Sequence, residues 1–259
     1  MCLLAIGWQA DRGHPLVFAG NRDEFHARPT AEAAWWEDAP HVIGGRDLQG
    51  GGTWLAAHRR GRFAVVTNFR EPAVDPASTA PSRGALVADF LNGSATARDY
   101  ALDLERAAGK YAGFNLLVAD SGGLHYVSNR SAGRLDLPSG VYALSNSALD
   151  TPWPKVARLR ESMHTLVGSG TVSEDDMLEL LSDRRVAPDA ELPDTGIGRE
   201  FERLLSAAFI VSPAYGTRCS SVFLLNRDGR ASFVERRFGP DGCVTGETRE
   251  QWRTGTHAE

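Results

Sequence analysis

The chain has 259 residues and a mass of 28.0 kDa, with 42% hydrophobic and 24% charged side chains, ordinary for a globular protein that buries a substantial core. A formal charge of −5 and a pI near 5.8 argue against a nucleic-acid partner or an anionic-membrane surface. Three cysteines are too few for a disulfide framework, and no run approaches the roughly 18 apolar residues of a membrane helix. Gln9, Asp11 and Arg12 interrupt the first apolar run, so no secretory segment is read and a reduced, cytoplasmic protein without membrane insertion is expected. Only Lys110 and Lys155 are lysines, so 26 of the 28 basic residues are arginine. The bias is read as the codon usage of a GC-rich bacterial genome, with arginines at phosphate or carboxylate sites adding to it locally.

In chain order, "CLLAIGW" (2–8) and "PLVFAGN" (15–21) flank a turn-forming "QADRGH". "TWLAAH" and "FAVVTNF" flank "RRGR", "FNLLVA" and "LHYVSN" flank "DSGG", and "SVFLLN" and "ASFVER" flank "RDG". Each pair predicts a β-hairpin whose glycine supplies the turn, so the sheets should be largely antiparallel. Helices are expected at 82–93, at 94–109 with a Ser cap, at 154–168 with Pro154 in the first turn, at 173–183 with a Ser cap, and at 198–209. The stretch 71–81, rich in Pro and Ala, is read as a mobile surface loop. Together these elements predict a single α+β domain over 1–259 with helices on the sheet faces.

Several motifs are missing. There is no G-x-x-x-x-G-K-[ST], no G-x-G-x-x-G after a strand and no G-x-S-x-G elbow. The glycine-rich "GGRDLQGGGTW" (44–54) lacks the lysine and helix that phosphate cradling needs, leaving an approach loop or a pocket wall. No H-x-x-x-H pair exists, so no metal site is expected.

Cys2 directly follows the initiator Met, which is removed before small residues. Exposed as the terminus, it would carry its own base, since an α-amine (pKa about 7.7–8.0) lies close to a thiol (about 8.5). "GNRDEFHARPT", about 20 residues on, places Asn21, Arg22, Asp23 and Glu24 one hairpin from Cys2. Its look-alike "NRDG" (226–229) ends in Gly and reads as a turn only.

"MCLLAIGW", "GNRDEFHARPT", "GGTWLA", "VVTNFR", "LSNSALDTPWPKV" and "YGTRCSSVFLL", in that order, resemble the transport and Golgi organisation protein 2 family, named for its NRDE motif. The likeness runs from Cys2 to about Leu225. That family resembles the N-terminal nucleophile hydrolases, implying a four-layer αββα sandwich. From choloylglycine-hydrolase and penicillin-acylase-like relatives it implies Cys2 as nucleophile, steadied by Arg22 and Asp23. It further implies Asn146 as oxyanion donor, Asn68 as a second amide, and Arg218 holding the constellation together. Arg22 and Asp23 are expected to face Cys2 and Glu24 to turn outward. Asn21, Glu24, Trp54 and Tyr215 are the expected substrate-binding residues. Cys219, Cys243, the remaining tryptophans and the histidines read as packing or surface residues.

The function so implied is a cysteine amidohydrolase or acyltransferase acting on a small amide or acyl substrate, with no cofactor required. The alternative is a non-catalytic protein that binds and traffics haem, acyl-coenzyme A or lipid on the same scaffold. Haem would need an apolar slot, an axial His or Cys and arginines for its propionates; the chain has no C-x-x-C-H or Cys-Pro motif.

Overall fold

The computed structural model describes residues 2–71, 80–131 and 133–255. Its strands are β1 (Cys2–Trp8), β2 (Leu16–Phe25), β3 (Thr30–Trp35), β4 (Val42–Asp47), β5 (Leu55–His58), β6 (Phe63–Asn68), β7 (Phe114–Asp120), β8 (Gly123–Ser128), β9 (Arg134–Leu137), β10 (Gly140–Leu144), β11 (Tyr215–Leu225), β12 (Arg230–Phe238) and β13 (Val244–Arg253). The helices are α1 (Gly84–Asn92), α2 (Ala97–Ala107), α3 (Pro154–Ser169), α4 (Glu174–Leu180) and α5 (Arg199–Leu204).

The strands form two antiparallel sheets, ordered β10-β1-β2-β11-β12-β13 and β3-β4-β5-β6-β7-β8-β9. All four hairpins read from the sequence are present, as β1–β2, β5–β6, β7–β8 and β11–β12. Residues of period two share a face of a strand, and here both faces are apolar. Leu4, Ile6, Phe18, Phe63, Leu117 and Phe223 meet between the sheets. Phe63 lies 4.9 Å from Phe18 and stacks at 5.3 Å on Phe223, ring centroid to centroid. The intervening Leu3, Ala5, Val17 and Ala19 pack on Leu159 and Met163 of α3 and Met177 of α4. On the outer face of the second sheet, Ala64, Val66, Leu116 and Val118 pack on Leu86, Phe90 and Leu104 of α1 and α2. The order helix–sheet–sheet–helix is the four-layer αββα sandwich. Because the central strands are covered on both sides, they read as unbroken apolar runs.

Local differences from the sequence reading have physical causes. Stretch 44–54 is no simple approach loop, for β4 runs through Gly44 and Gly45. A Cβ on Gly44 would sit 2.5 Å from the Leu55 carbonyl oxygen, so only glycine lets β4 and β5 approach so closely. α2 starts at Ala97, later than expected, because Thr96 is its cap, accepting from the Asp99 N–H at 3.1 Å. α5 is only six residues long. Most of the expected 71–81 loop, residues 72–79, lies outside the described residues. Among the described residues no helix is long and apolar enough to cross a membrane.

Candidate active site

Strand alternation decides which side chains meet. Cys2 shares the inter-sheet face of β1 with Leu4 and Ile6 and is 7% exposed. It borders a cavity of about 590 Å³ near the strand ends, whose walls include Arg22, Glu24, Asp47, Asn68, Arg83 and Cys219. The register sets Cys2 against Arg22, Arg22 against Cys219 and Cys219 against Arg237, one row across four strands. Two ladder spacings of about 4.8 Å separate the two thiols' backbones. A Cα separation beyond about 7 Å prevents a disulfide, so both thiols stay free.

Burial pushes the Cys2 thiol up to about 11; Asp23 and Glu24 add to that effect, while Arg22 opposes it. The thiol is therefore protonated near neutral pH and needs a nearby proton acceptor to react. Arg22 is itself buried and held loosely: Nη1 is 3.4 Å from Thr30 Oγ1, and Nη2 lies 3.8 Å from Asp47 and 4.0 Å from Glu24. Arg28 is fixed firmly, with Nε at 2.9 Å and Nη2 at 2.8 Å from Asp47 Oδ2. Glu24 does not turn outward. It alternates onto the same face as Arg22, reaches Arg28 Nε at 3.9 Å and lines the cavity.

Asp23, expected to face Cys2, alternates to the opposite face of β2, towards α3, though the residue still borders the cavity. Its Oδ1 accepts from Thr217 Oγ1 at 2.8 Å, and burial raises its pKa against the pull of Lys155. Lys155, in the first turn of α3, is 2% exposed, and its Nζ has no hydrogen-bond partner among the described residues. Burial pushes this amine down to about 8, with Asp23 the main charge resisting that shift. Nearby, Arg70 Nη1 meets Glu202 Oε2 at 2.5 Å, and the guanidinium lies 4.4 Å over the Trp153 ring.

The other expected site residues divide. Asn68, at the end of β6, lines the cavity, as does Trp54. Asn146 lies behind the cavity: its Nδ2 donates to the Asn68 carbonyl at 2.9 Å, and its Oδ1 is 3.2 Å from Ser145 Oγ, which donates to the Cys2 carbonyl at 2.9 Å. Asn21 is fully buried on the helix side, donating to the carbonyls of Leu181 and Ala208 and accepting from Ser220 Oγ, so it is placed as a structural bridge and not at the cavity. Tyr215 donates to the Asp23 carbonyl at 3.0 Å and packs its ring on Phe25 and Phe201, off the cavity wall. Arg218 is likewise off the wall, donating from Nη1 to the carbonyls of Phe25 and Arg28 and clasping the turn after β2.

Three residues passed over in the sequence reading belong to these surroundings: Arg83, Lys155 and Glu235. Glu235 is a buried cavity carboxyl whose Oε1 accepts from the Ala33 N–H at 2.8 Å, and its burial raises its pKa. Lysine scarcity was the available signal for Lys155, one of two lysines in the chain. Cys219, read as packing, also borders the cavity. Among the described residues, no cluster of three or more His, Cys, Asp or Glu side chains is placed to hold a metal ion.

The αββα layering with a cysteine at the head of the first central strand defines an N-terminal-nucleophile-hydrolase type of fold. A Caenorhabditis elegans N-acylethanolamine-hydrolyzing acid amidase ortholog superposes with a TM-score of 0.53 at 10% identity, over 86% of this chain and 92% of that one. The chain belongs to the transport and Golgi organisation 2 family, whose model matches residues 1–240. The cow transport and Golgi organization protein 2 homolog is 34% identical over 282 residues, spanning 99% of this chain and 98% of the cow protein. The human homolog is 32% identical over 270 residues, spanning 96% of this chain and 97% of its own length. Mouse and fly relatives match as well. These animal relatives correct the bacterial source inferred from the arginine bias: a preference for arginine over lysine does not assign a lineage.

Proposed function

We propose that Cys2 is the nucleophile of an amide-hydrolysing or acyl-transferring reaction on a small acyl or amide compound. The observation that supports it is the position of Cys2 on the cavity wall at the head of β1, paired in register with Arg22. In this reading Met1, which lies outside the described residues, is removed and the new α-amine takes the thiol proton. The thiolate attacks the substrate carbonyl. Its π electrons move to oxygen, where the Asn68 amide on the cavity wall is the candidate donor, an interaction often worth about 2.7–4 kcal/mol in the transition state. The amine leaving group departs with the proton of the α-ammonium, leaving a Cys2 thioester. Water then attacks the thioester, yields a proton to the α-amine and releases the acid as the thiol reforms. Intact-mass analysis should show loss of Met1, and iodoacetamide should label Cys2 before Cys219 or the exposed Cys243. Retained Met1, or Cys2 labelling last, overturns the reading.

Haem binding has weaker support. Two thiols border the cavity, but burial keeps both protonated, no histidine among the described residues lines it, and carboxylates and arginines stand where haem needs an apolar slot. Titration with hemin separates the two, because a saturable Soret shift lost on altering Cys2 or Cys219 would favour the haem reading.

A further inference from the structure

The cavity's arginines are not equally satisfied. Arg28 is neutralised by Asp47 through two short contacts, and Arg46 pairs with Asp38. Arg22 shares Glu24 and Asp47 at 3.8–4.0 Å. Arg83 has no ion-pair partner among the described residues. Among the described residues its one hydrogen bond runs from Nη1 to the Gly113 carbonyl at 3.0 Å, so four of the five N–H donors of a guanidinium are uncommitted there.

The carboxylates that could serve Arg83 are engaged elsewhere. Asp47 also accepts from the N–H groups of Gln49 and Gly50; Glu235 accepts from Ala33; Asp23 points to the other face of β2; Glu24 accepts from the Phe25 N–H and faces Arg22 and Arg28. Glu71, the closest charge in effect, is taken by Arg130 at 2.8 Å. The place of Arg83 is nonetheless fixed by the backbone. Gly52 and Gly84 meet so closely that a Cβ on Gly52 would lie 2.4 Å from the Gly84 carbonyl, which holds the start of α1, and Arg83 just before it, at the cavity wall.

We propose that Arg83 is the anchor for an anionic group on the substrate, so that the cavity takes an acyl or amide compound carrying a carboxylate or phosphate apart from the carbonyl that faces Cys2. A fork of uncommitted donors at a partly desolvated wall suits a planar oxyanion, and charge-assisted bonds there are stronger than neutral ones. This assignment rests on the proposed reaction at Cys2 only for which end of the ligand faces the thiol; the anion site stands without it.

Calorimetry on the Cys2→Ala protein, which cannot turn over, compares N-hexanoylglycine with N-hexanoylglycinamide, its uncharged counterpart. The acid should bind and the amide bind at least tenfold more weakly. Arg83→Gln should weaken the acid roughly ten- to hundredfold without affecting the amide, Arg83→Lys should fall between the two, and added salt should weaken the acid alone. Inorganic phosphate should compete with the acid but bind more weakly. Equal binding of acid and amide, no binding of the acid, or an acid affinity indifferent to Arg83→Gln overturns the proposal; phosphate binding as tightly as the acid would make this a free-anion site and overturn the substrate assignment. Failure of Cys2 labelling in the unaltered protein would count against the proposed reaction and leave these binding measurements standing.

Discussion

At Cys2, burial and the charges of Arg22, Asp23 and Glu24 compete over one proton, and the signs can be separated by substitution. Arg22 favours the thiolate, so Arg22→Gln should slow iodoacetamide labelling of Cys2 at pH 8; Asp23 disfavours it, so Asp23→Asn should speed labelling even where turnover falls. Rates indifferent to both changes would show that NRDE is only a charged strand end. Lys155 offers a test by linkage. Its folded pKa is depressed to about 8 from 10.5, so between those values the unfolded chain holds a proton that the folded chain has released. Stability contributed by Lys155 therefore rises with pH across that window and is flat below it. Urea midpoints at pH 7.5 and pH 10 should show the unaltered protein gaining on Lys155→Met, and an unchanging difference would contradict the burial assigned to this amine. Cys2 and Arg22 could be read as neighbours because a cysteine at the head of an apolar strand and a charged strand end one hairpin on fall into register, whereas the side to which Asp23 turns depends on its buried partner Thr217, remote in sequence. Lys155 and Arg83 were not legible, since nothing local marks a helix's first lysine as buried or a loop arginine as unpaired.

Among the elements, hairpins with apolar runs and a glycine turn were readable from end to end. β13, "VTGETREQWR", was not: it lies largely exposed at the sheet edge and carries charges such as Glu247, which meets Arg236 at 2.6 Å, so between Val244 and Trp252 it has no apolar alternation to read. β3 and β4 were hidden by alanine and glycine, whose strand assignment depends on neighbours and not on propensity. The turn between β4 and β5 is the sharpest element-level test. Gly52 has φ +72° and faces Gly84 without room for a methyl group, so Gly52→Ala should cost about 2 kcal/mol or more and loosen the start of α1. Thermal unfolding measures it; a Tm within a degree of the original would mean the two backbones part at little cost.

For the molecule as a whole, the inter-sheet layer is the part that both sheets must share. Phe63 is fully buried between Phe18 and Phe223, and Phe63→Ala should destabilise the fold by about 3–5 kcal/mol in denaturant titration, whereas exposed Leu135→Ala should change it little. Apolar runs of strand length and amphipathic helices led only to an α+β domain with helices on the sheet faces; the four-layer order came with the family resemblance, and the strand order was not legible, because register across sheets is set by contacts remote in sequence.

That remoteness bears on when the site comes into being. β1 and β2 pair within the first 25 residues, but their free edges are covered only by β10, beginning at Gly140, and β11, beginning at Tyr215. During synthesis the cysteine and its charged neighbours therefore wait on an unprotected hairpin until some four-fifths of the chain has emerged. The reactivity proposed for Cys2 needs β11 docked beside β2, so a chain truncated before β11 should carry Cys2 yet label slowly with iodoacetamide.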